Sequence, residues 1–362
     1  MHIAKWILTA LLSVILPSAL LSQDFPAEEP DGILSPELTG DEVVFRFYAD
    51  FASEVLLDGS WQDSPRLMQK MPGGVWEYHL TGLRPEMYSY RFIVDGERVP
   101  DPHNAMSYRD GACVDSYFYI DGPATDKYRL ASHPGTLVRT SFYSSVLKSD
   151  RNLVVYLPAG YDSNPKASYP VLYLLHGEGG DEESWVRAGK APQILDYLIG
   201  AGRAVPMIVV MPDCSGPASG DVMMSSIVNE VIPYVESRYR AISSETKRGI
   251  AGIGENGRLA IRSSVVYLNR FDYICPLSCG VEDNGRLVED FLKVKKSKVR
   301  LFWVGCGRKD SAAYEPSKLL HDTLSYIHLD HSFYLGNGGH DWNSWRQFFC
   351  SFAPMIFKYY TD

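Results

Sequence analysis

Between residues 43 and 120 short apolar runs alternate with polar positions, in VVFRFYA, SEVLLDG, GVWEYHL, YSYRFIVDG and SYFYI, each closed by Gly, Pro, Asp or Asn. A period of two with regularly spaced turn formers predicts a small antiparallel sandwich of the immunoglobulin-like kind. From residue 153 the texture changes. LVVYLP, VLYLLHG, MIVVMP, GIAGI, YICPLSC, VRLFWVG and SFYLG are nearly continuous in apolar character, and helical segments such as APQILDYLIGAG, VNEVIPYVESRY and LHDTLSYIHL lie between them. Strand and helix in alternation predict a mostly parallel sheet covered on both faces, because each crossover lays a helix against the sheet. The expected fold is α/β, preceded by an all-β module. The stretch between the two textures is rich in turn formers and reads as a linker over residues 123–135.

At the N-terminus an apolar run from Trp6 to Leu21 follows His2 and Lys5 and gives way to polar Ser22-Gln23-Asp24, the layout of a secretory signal peptide over residues 1–22. An uncleaved anchor is the alternative, although the run is shorter than the roughly 20 residues that a span prefers. The remaining organisation is a sandwich over 23–122 and an α/β domain over 136–362, with no further membrane span. Such a chain is secreted or periplasmic. The formal net charge of -9 leaves no basic surplus for phosphates, which argues against nucleic acid as a partner. Export would let the six cysteines, at 113, 214, 275, 279, 306 and 350, pair, and the sequence does not choose among the 15 connectivities. Cys275 and Cys279 read as core thiols or one local disulfide; with no His pair nearby they do not suggest a metal site.

The stretch A-G-I-G-E-N-G at 251–257 carries the chemical question. It contains a G-x-G-x-x-G spacing between a strand and a helix, as a dinucleotide site requires. That site also needs an acidic residue at the end of the next strand, and Asp272 stands before YICPLSC instead. A hydrolase turn fits more of the chain. In the G-x-S-x-G elbow a strained turn lifts a serine hydroxyl above the sheet just before a helix. Laid over that pattern, Gly252 is the first small residue, Gly254 stands where the nucleophile belongs, and Asn256 replaces the last glycine. Asp310 follows VRLFWVGCG and His340 follows SFYLG, so elbow, acid and imidazole occur in the order of an α/β-hydrolase. The backbone N–H groups of Glu178, after the HG of VLYLLHG, and of Glu255 are the candidates for an oxyanion hole.

Taken together, PVLYLLHGEGGDEESW (170–185), PMIVVMPD (206–213), VIPYVESRYR (231–240), the 251–257 turn, VGCGRKD and GGHDWNSWR resemble carbohydrate esterase family 1, the family of feruloyl and acetyl xylan esterases. Residues 31–122, with DGSW, GGVWE and YSYRFIVDG, resemble a family 48 carbohydrate-binding module. The resemblance implies a Ser-His-Asp mechanism on ester-decorated plant polysaccharide without metal or cofactor. Asp310 and His340 match the family's acid and base, and Gly254 occupies the nucleophile's position. The chain also looks shorter than the family between Asp213 and Asp221 and after Cys279, which implies a wider or differently shaped cleft.

The expectation is an esterase homologue with little or no activity that binds polysaccharide, oligosaccharide or esterified fragments. Trp61, Trp76 and Tyr90 are the candidate sugar platforms. The alternatives are an active esterase using Glu255 or an activated water, and a scaffold that binds another protein of a glycan-degrading system.

Overall fold

The computed structural model describes residues 29–110, 112–297 and 299–358; the signal-peptide segment lies outside them. No helix among the described residues is long and apolar enough to cross a membrane.

The N-terminal part folds as two antiparallel sheets. One has Glu42–Tyr48 paired with Glu37–Thr39 and Val75–Thr81. The other is centred on Glu86–Val94, between Val55–Gly59 and Cys113–Ile120. Alternation aims Val43, Phe45, Leu57, Trp76, Tyr90, Phe92 and Phe118 into one core between the sheets. The two inner faces of the sandwich are thus glued by aromatic residues in edge contacts, such as Phe45 against Tyr90 at 4.8 Å.

The second part is built on one eight-stranded sheet. Its strands are β1 (Thr136–Ser144), β2 (Ser149–Leu157), β3 (Val171–Leu175), β4 (Ile208–Pro212), β5 (Arg248–Ile253), β6 (Tyr273–Leu277), β7 (Leu301–Gly307) and β8 (Ser332–Gly336). Their spatial order is β1-β2-β4-β3-β5-β6-β7-β8. The pairs β1–β2 and β2–β4 are antiparallel, and the strands from β4 through β8 run parallel. The helices are α1 (Ser184–Arg187), α2 (Ala191–Gly200), α3 (Gly220–Ser226), α4 (Ile232–Arg238), α5 (Gly254–Val266), α6 (Leu287–Ser297), α7 (Tyr314–Tyr326) and α8 (Trp342–Phe352). They cover both faces of the sheet and leave two apolar cores. One contains Val171, Tyr173, Ile250 and Phe302, and the other Leu172, Leu174, Ala251 and Trp303. The residues of β3 and β5 alternate between these cores, which is why the central strands read as unbroken apolar runs.

The parts are joined by more than a tether. Met87 and Tyr108 of the sandwich belong to the same apolar cluster as Trp185, Trp342 and Phe349. Residues 123–135, expected as a linker, carry a 3₁₀ turn at Asp126–Tyr128 whose Tyr128 is buried in that cluster. Buried Arg346 of α8 donates to the Ala188 carbonyl at 2.9 Å and to the Met87 carbonyl of the sandwich at 3.0 Å. All six cysteines are free thiols, and Cys275 and Cys279 are buried, so the core-thiol reading holds rather than the disulfide.

Candidate active site

The site lies at the carboxyl ends of β3, β5, β6, β7 and β8, where an open α/β sheet gathers ligands. β5 ends at Ile253, and the chain reverses into α5 through Gly254, whose φ is +56°. Glycine enters this left-handed region without the penalty that a Cβ brings. The rest of the turn is tight. A Cβ on Gly252 would stand 2.5 Å from the Asn256 carbonyl oxygen, so this position accepts no side chain. Asn256 is buried but accommodated, its amide donating to the His176 carbonyl at 2.8 Å.

Asp310 follows β7 and is fully buried. Its Oδ1 accepts the Ala313 N–H at 3.1 Å and its Oδ2 lies 3.0 Å from His340 Nδ1. His340, after β8, keeps nearly half of its side chain exposed. Burial pushes the Asp310 carboxyl up, but the hydrogen bonds from His340 and Ser278 outweigh it and hold the group below its ordinary range. The bond to Asp310 holds the His340 imidazole above its ordinary value, against the effect of burial. With Nδ1 committed to Asp310, Nε2 is the nitrogen free to exchange a proton.

Nε2 faces the turn. A Cβ built on Gly254 lies 3.8 Å from His340 Cε1 and Nε2, its nearest contacts outside its own turn and helix backbone. The three residues aligned from sequence, Gly254, Asp310 and His340, thus meet at one point. Glu178 and Glu255 line the same cavity of about 230 Å³, together with Arg258, Ser278 and Cys279. The Glu255 amide is in the first turn of α5, where N–H groups lack intrahelical acceptors. Its exposed carboxylate lies 3.7 Å from Arg258, which also reaches Glu282 at 3.2 Å. Two further grooves share Glu255 in their lining, one along His176, Ser215 and Met223 and one between α5 and α6. Ser263 and Ser264, further along α5, donate to the Ala260 and Ile261 carbonyls inside the helix.

His176, before the Glu178 loop, is structural. Its Nδ1 donates to the Gly177 carbonyl at 2.7 Å and its Nε2 accepts the Cys214 N–H at 2.8 Å, which fixes one neutral tautomer. Burial lowers its pKa. Asp272, the acidic residue of the rejected nucleotide reading, pairs instead with Arg300 at 3.2 Å.

Two of the three aromatic candidates for sugar stacking, Trp76 and Tyr90, are corrected by burial. Trp76 and Tyr90 are 5% and 1% exposed, with the Trp76 indole N–H on the Ala49 carbonyl and the Tyr90 hydroxyl on Asp101 at 2.6 Å. Trp61 packs against the same core, stacked on Phe45 at 5.5 Å. The faces of Trp76 and Tyr90 are therefore not available to a sugar ring, whereas Trp61 is only partly buried.

Sequence reasoning missed Ser278, one residue past β6. It is buried, has φ +49°, accepts the Trp345 indole N–H at 2.9 Å and faces Asp310. Trp345 in turn sets its edge against His340 at 5.1 Å. The one available signal was its place at the end of a central strand. Among the described residues no three His, Cys, Asp or Glu side chains gather to hold a metal.

A family profile described as "Putative esterase" matches residues 144–354. An endo-1,4-beta-xylanase/feruloyl esterase of Xylanibacter ruminicola is 28% identical over 338 residues, which is 87% of this chain and 44% of that protein. The chain therefore spans less than half the length of this relative. A feruloyl esterase module from Clostridium thermocellum, solved with sinapinate, superposes with a TM-score of 0.59 at 22% identity, over 64% of this chain and 92% of that one. An enterobactin esterase of Shigella flexneri gives a TM-score of 0.70 at 17% identity over 90% and 96% of the two chains. At these identities the structural likeness is one of fold.

Proposed function

Because the chain belongs to the esterase family, whose profile covers more than half of it, we infer that it is an exported esterase homologue that holds acylated polysaccharide fragments in its cleft and hydrolyses them poorly or not at all. The observation that carries this reading is the geometry at Gly254. The position is aimed at His340 Nε2 and bears no side chain. In hydrolases with a triad, loss of the nucleophile costs about 10⁶ in kcat, or about 8 kcal/mol of barrier.

Glu255 is the nearest substitute. Its carboxylate is exposed and faces Arg258, and its attack on an ester would give an anhydride, a poor intermediate. The intact pair of Asp310 and His340 favours a second reading, slow hydrolysis by a water that His340 deprotonates. The ligand class rests on the relatives' names, which mention xylan and feruloyl esters, and on the open grooves beside the cavity.

Two measurements test this. Calorimetric titration with acetylated or feruloylated xylo-oligosaccharides is expected to show binding that weakens after alkaline deacylation. Release of acid from the same ligands is expected to match that of the His340→Ala variant. Release well above that variant would refute the non-catalytic reading. Failure to bind any acylated glycan would favour a scaffold that recognises protein.

A further inference from the structure

His340 borders a second space besides the cavity at Gly254. There the seam between the sandwich and the α/β domain opens into a pocket of about 330 Å³, lined from the sandwich by Asp58, Ser60 and Gln62 and from the α/β domain by His340, Trp342 and Asn343. Its walls are held in place. The Trp342 indole donates to Asp110 of the sandwich at 2.9 Å, and Arg91 pairs with buried Asp115 at 2.8 Å. Asp63, next to Gln62, lies 3.2 Å from Lys309, the neighbour of Asp310.

The polar groups of this pocket are only half used by the protein. Ser60 Oγ accepts the Ser89 N–H at 3.1 Å, and among the described residues its own O–H meets no acceptor. The Gln62 amide donates to the Leu57 carbonyl at 2.6 Å and leaves its oxygen open. Asn343 gives its amide oxygen to Arg346 and leaves its N–H groups open. The Asp58 carboxylate, 31% exposed, stands 3.8 Å from Arg91 Nε, beyond hydrogen-bond reach. Two donors and two acceptors thus remain on one pocket. A hydroxyl donates one hydrogen bond and accepts others, so this set matches neighbouring hydroxyls on a sugar ring; an apolar group would leave it unpaired. We propose that the interdomain pocket is the subsite for the neutral sugar that carries the acyl group. The inference rests on reading the cleft as one for acylated glycan. With the acyl group in the cavity at Gly254, the alcohol part of the ester passes His340, whose free Nε2 can exchange a proton with the ester oxygen. The sandwich then takes part in recognition through its polar turn at 58–62 and not through Trp76 and Tyr90, which are buried.

The test titrates the full chain calorimetrically with a feruloylated xylo-oligosaccharide and with methyl ferulate, which shares the acyl group and lacks the sugar. The oligosaccharide should bind tighter by roughly tenfold or more, as hydrogen bonds to a charged group and to neutral partners allow. Ser60→Tyr fills the pocket and should bring the ratio of the two affinities close to one. Asp58→Ala removes only the carboxylate and should lower the ratio severalfold. Melting temperatures show which variants fold, and either folded variant decides. A ratio near one in the unsubstituted chain, or a ratio that a folded variant leaves unchanged, overturns the proposal while binding in the cleft stands. Failure of the unsubstituted chain to bind either ligand overturns the functional reading and this inference with it.

Discussion

The two walls of the cavity are built differently. On one side Asp310 is tied into the fold: besides His340 it accepts the Ala313 N–H, and its backbone carbonyl accepts Tyr314 N–H at 2.9 Å where α7 begins. Ser278 and Trp345 brace the same group from β6 and α8. On the other side a Cβ at 254 would meet, outside its own turn and helix backbone, only the His340 ring at 3.8 Å. A residue there serves chemistry alone, while Asp310 also serves folding. The difference teaches that retention of an acid and a base is weak evidence for catalysis where the acid also starts a helix. On the proposed reading the glycine at the elbow is the more telling sign, since it sits in the left-handed region without a Cβ.

The comparison breaks most visibly if the bare wall is rebuilt. Gly254→Ser should raise ester hydrolysis up to roughly 10⁶-fold, measured as p-nitrophenyl acetate turnover against the unsubstituted chain. No gain would mean that the two walls no longer align. In that background Asp310→Asn should cost about 10⁴-fold in kcat, because the imidazole loses the partner that sets its tautomer. A loss of less than tenfold would show that Asp310 is structural only.

Stability sharpens the contrast on a smaller scale. Asp310→Ala in the otherwise unchanged chain should destabilise it by about 2 kcal/mol in urea unfolding, since His340 and buried Ser278 lose their carboxylate partner and the Ala313 N–H keeps only the backbone carbonyl of residue 310 at 3.2 Å. Gly254→Ser should cost about 1 kcal/mol, from placing a Cβ in the left-handed region. The reverse order would contradict the division of roles drawn between the walls.

The smallest effect is the pH dependence. The Asp310 pKa is lowered, so its contribution is present above the ordinary 3.8 and is lost as pH falls through the lowered folded value. The His340 pKa is raised, so its contribution is present below the ordinary 6.5 and is lost as pH rises through the raised folded value. The pair therefore supports the fold most fully between about 3.8 and 6.5. Because His340 is nearly half exposed, solvent screens much of the gain. The melting temperature of His340→Gln should converge on that of the unsubstituted chain as pH rises above this window.

Much of this arrangement is legible in the sequence because buried parallel strands are continuous apolar runs and their carboxyl ends carry the chemistry. Asp310 and His340 stand a few residues after such runs, and the turn at 252–256 is marked by its glycines. What stays hidden depends on which way a side chain faces. Trp76 and Tyr90 look like any aromatic in an alternating strand until pairing settles that their sides of the sheets turn inward. Ser278 acquires its role only where β6, β7 and α8 converge, a contact among residues 278, 310 and 345 that no local pattern encodes. Tyr128 likewise sits in a stretch of turn formers, yet its ring is drawn into the junction beside Arg346.

The central claim is that no side chain of this protein takes an acyl group at the tip of the β5–α5 turn. Intact-mass measurement during incubation with p-nitrophenyl acetate tests it most directly, with Gly254→Ser as the positive control. The unsubstituted chain should show no acylated species that depends on His340, and the variant should show one, located at position 254. A His340-dependent acyl adduct on the unsubstituted chain would contradict the account.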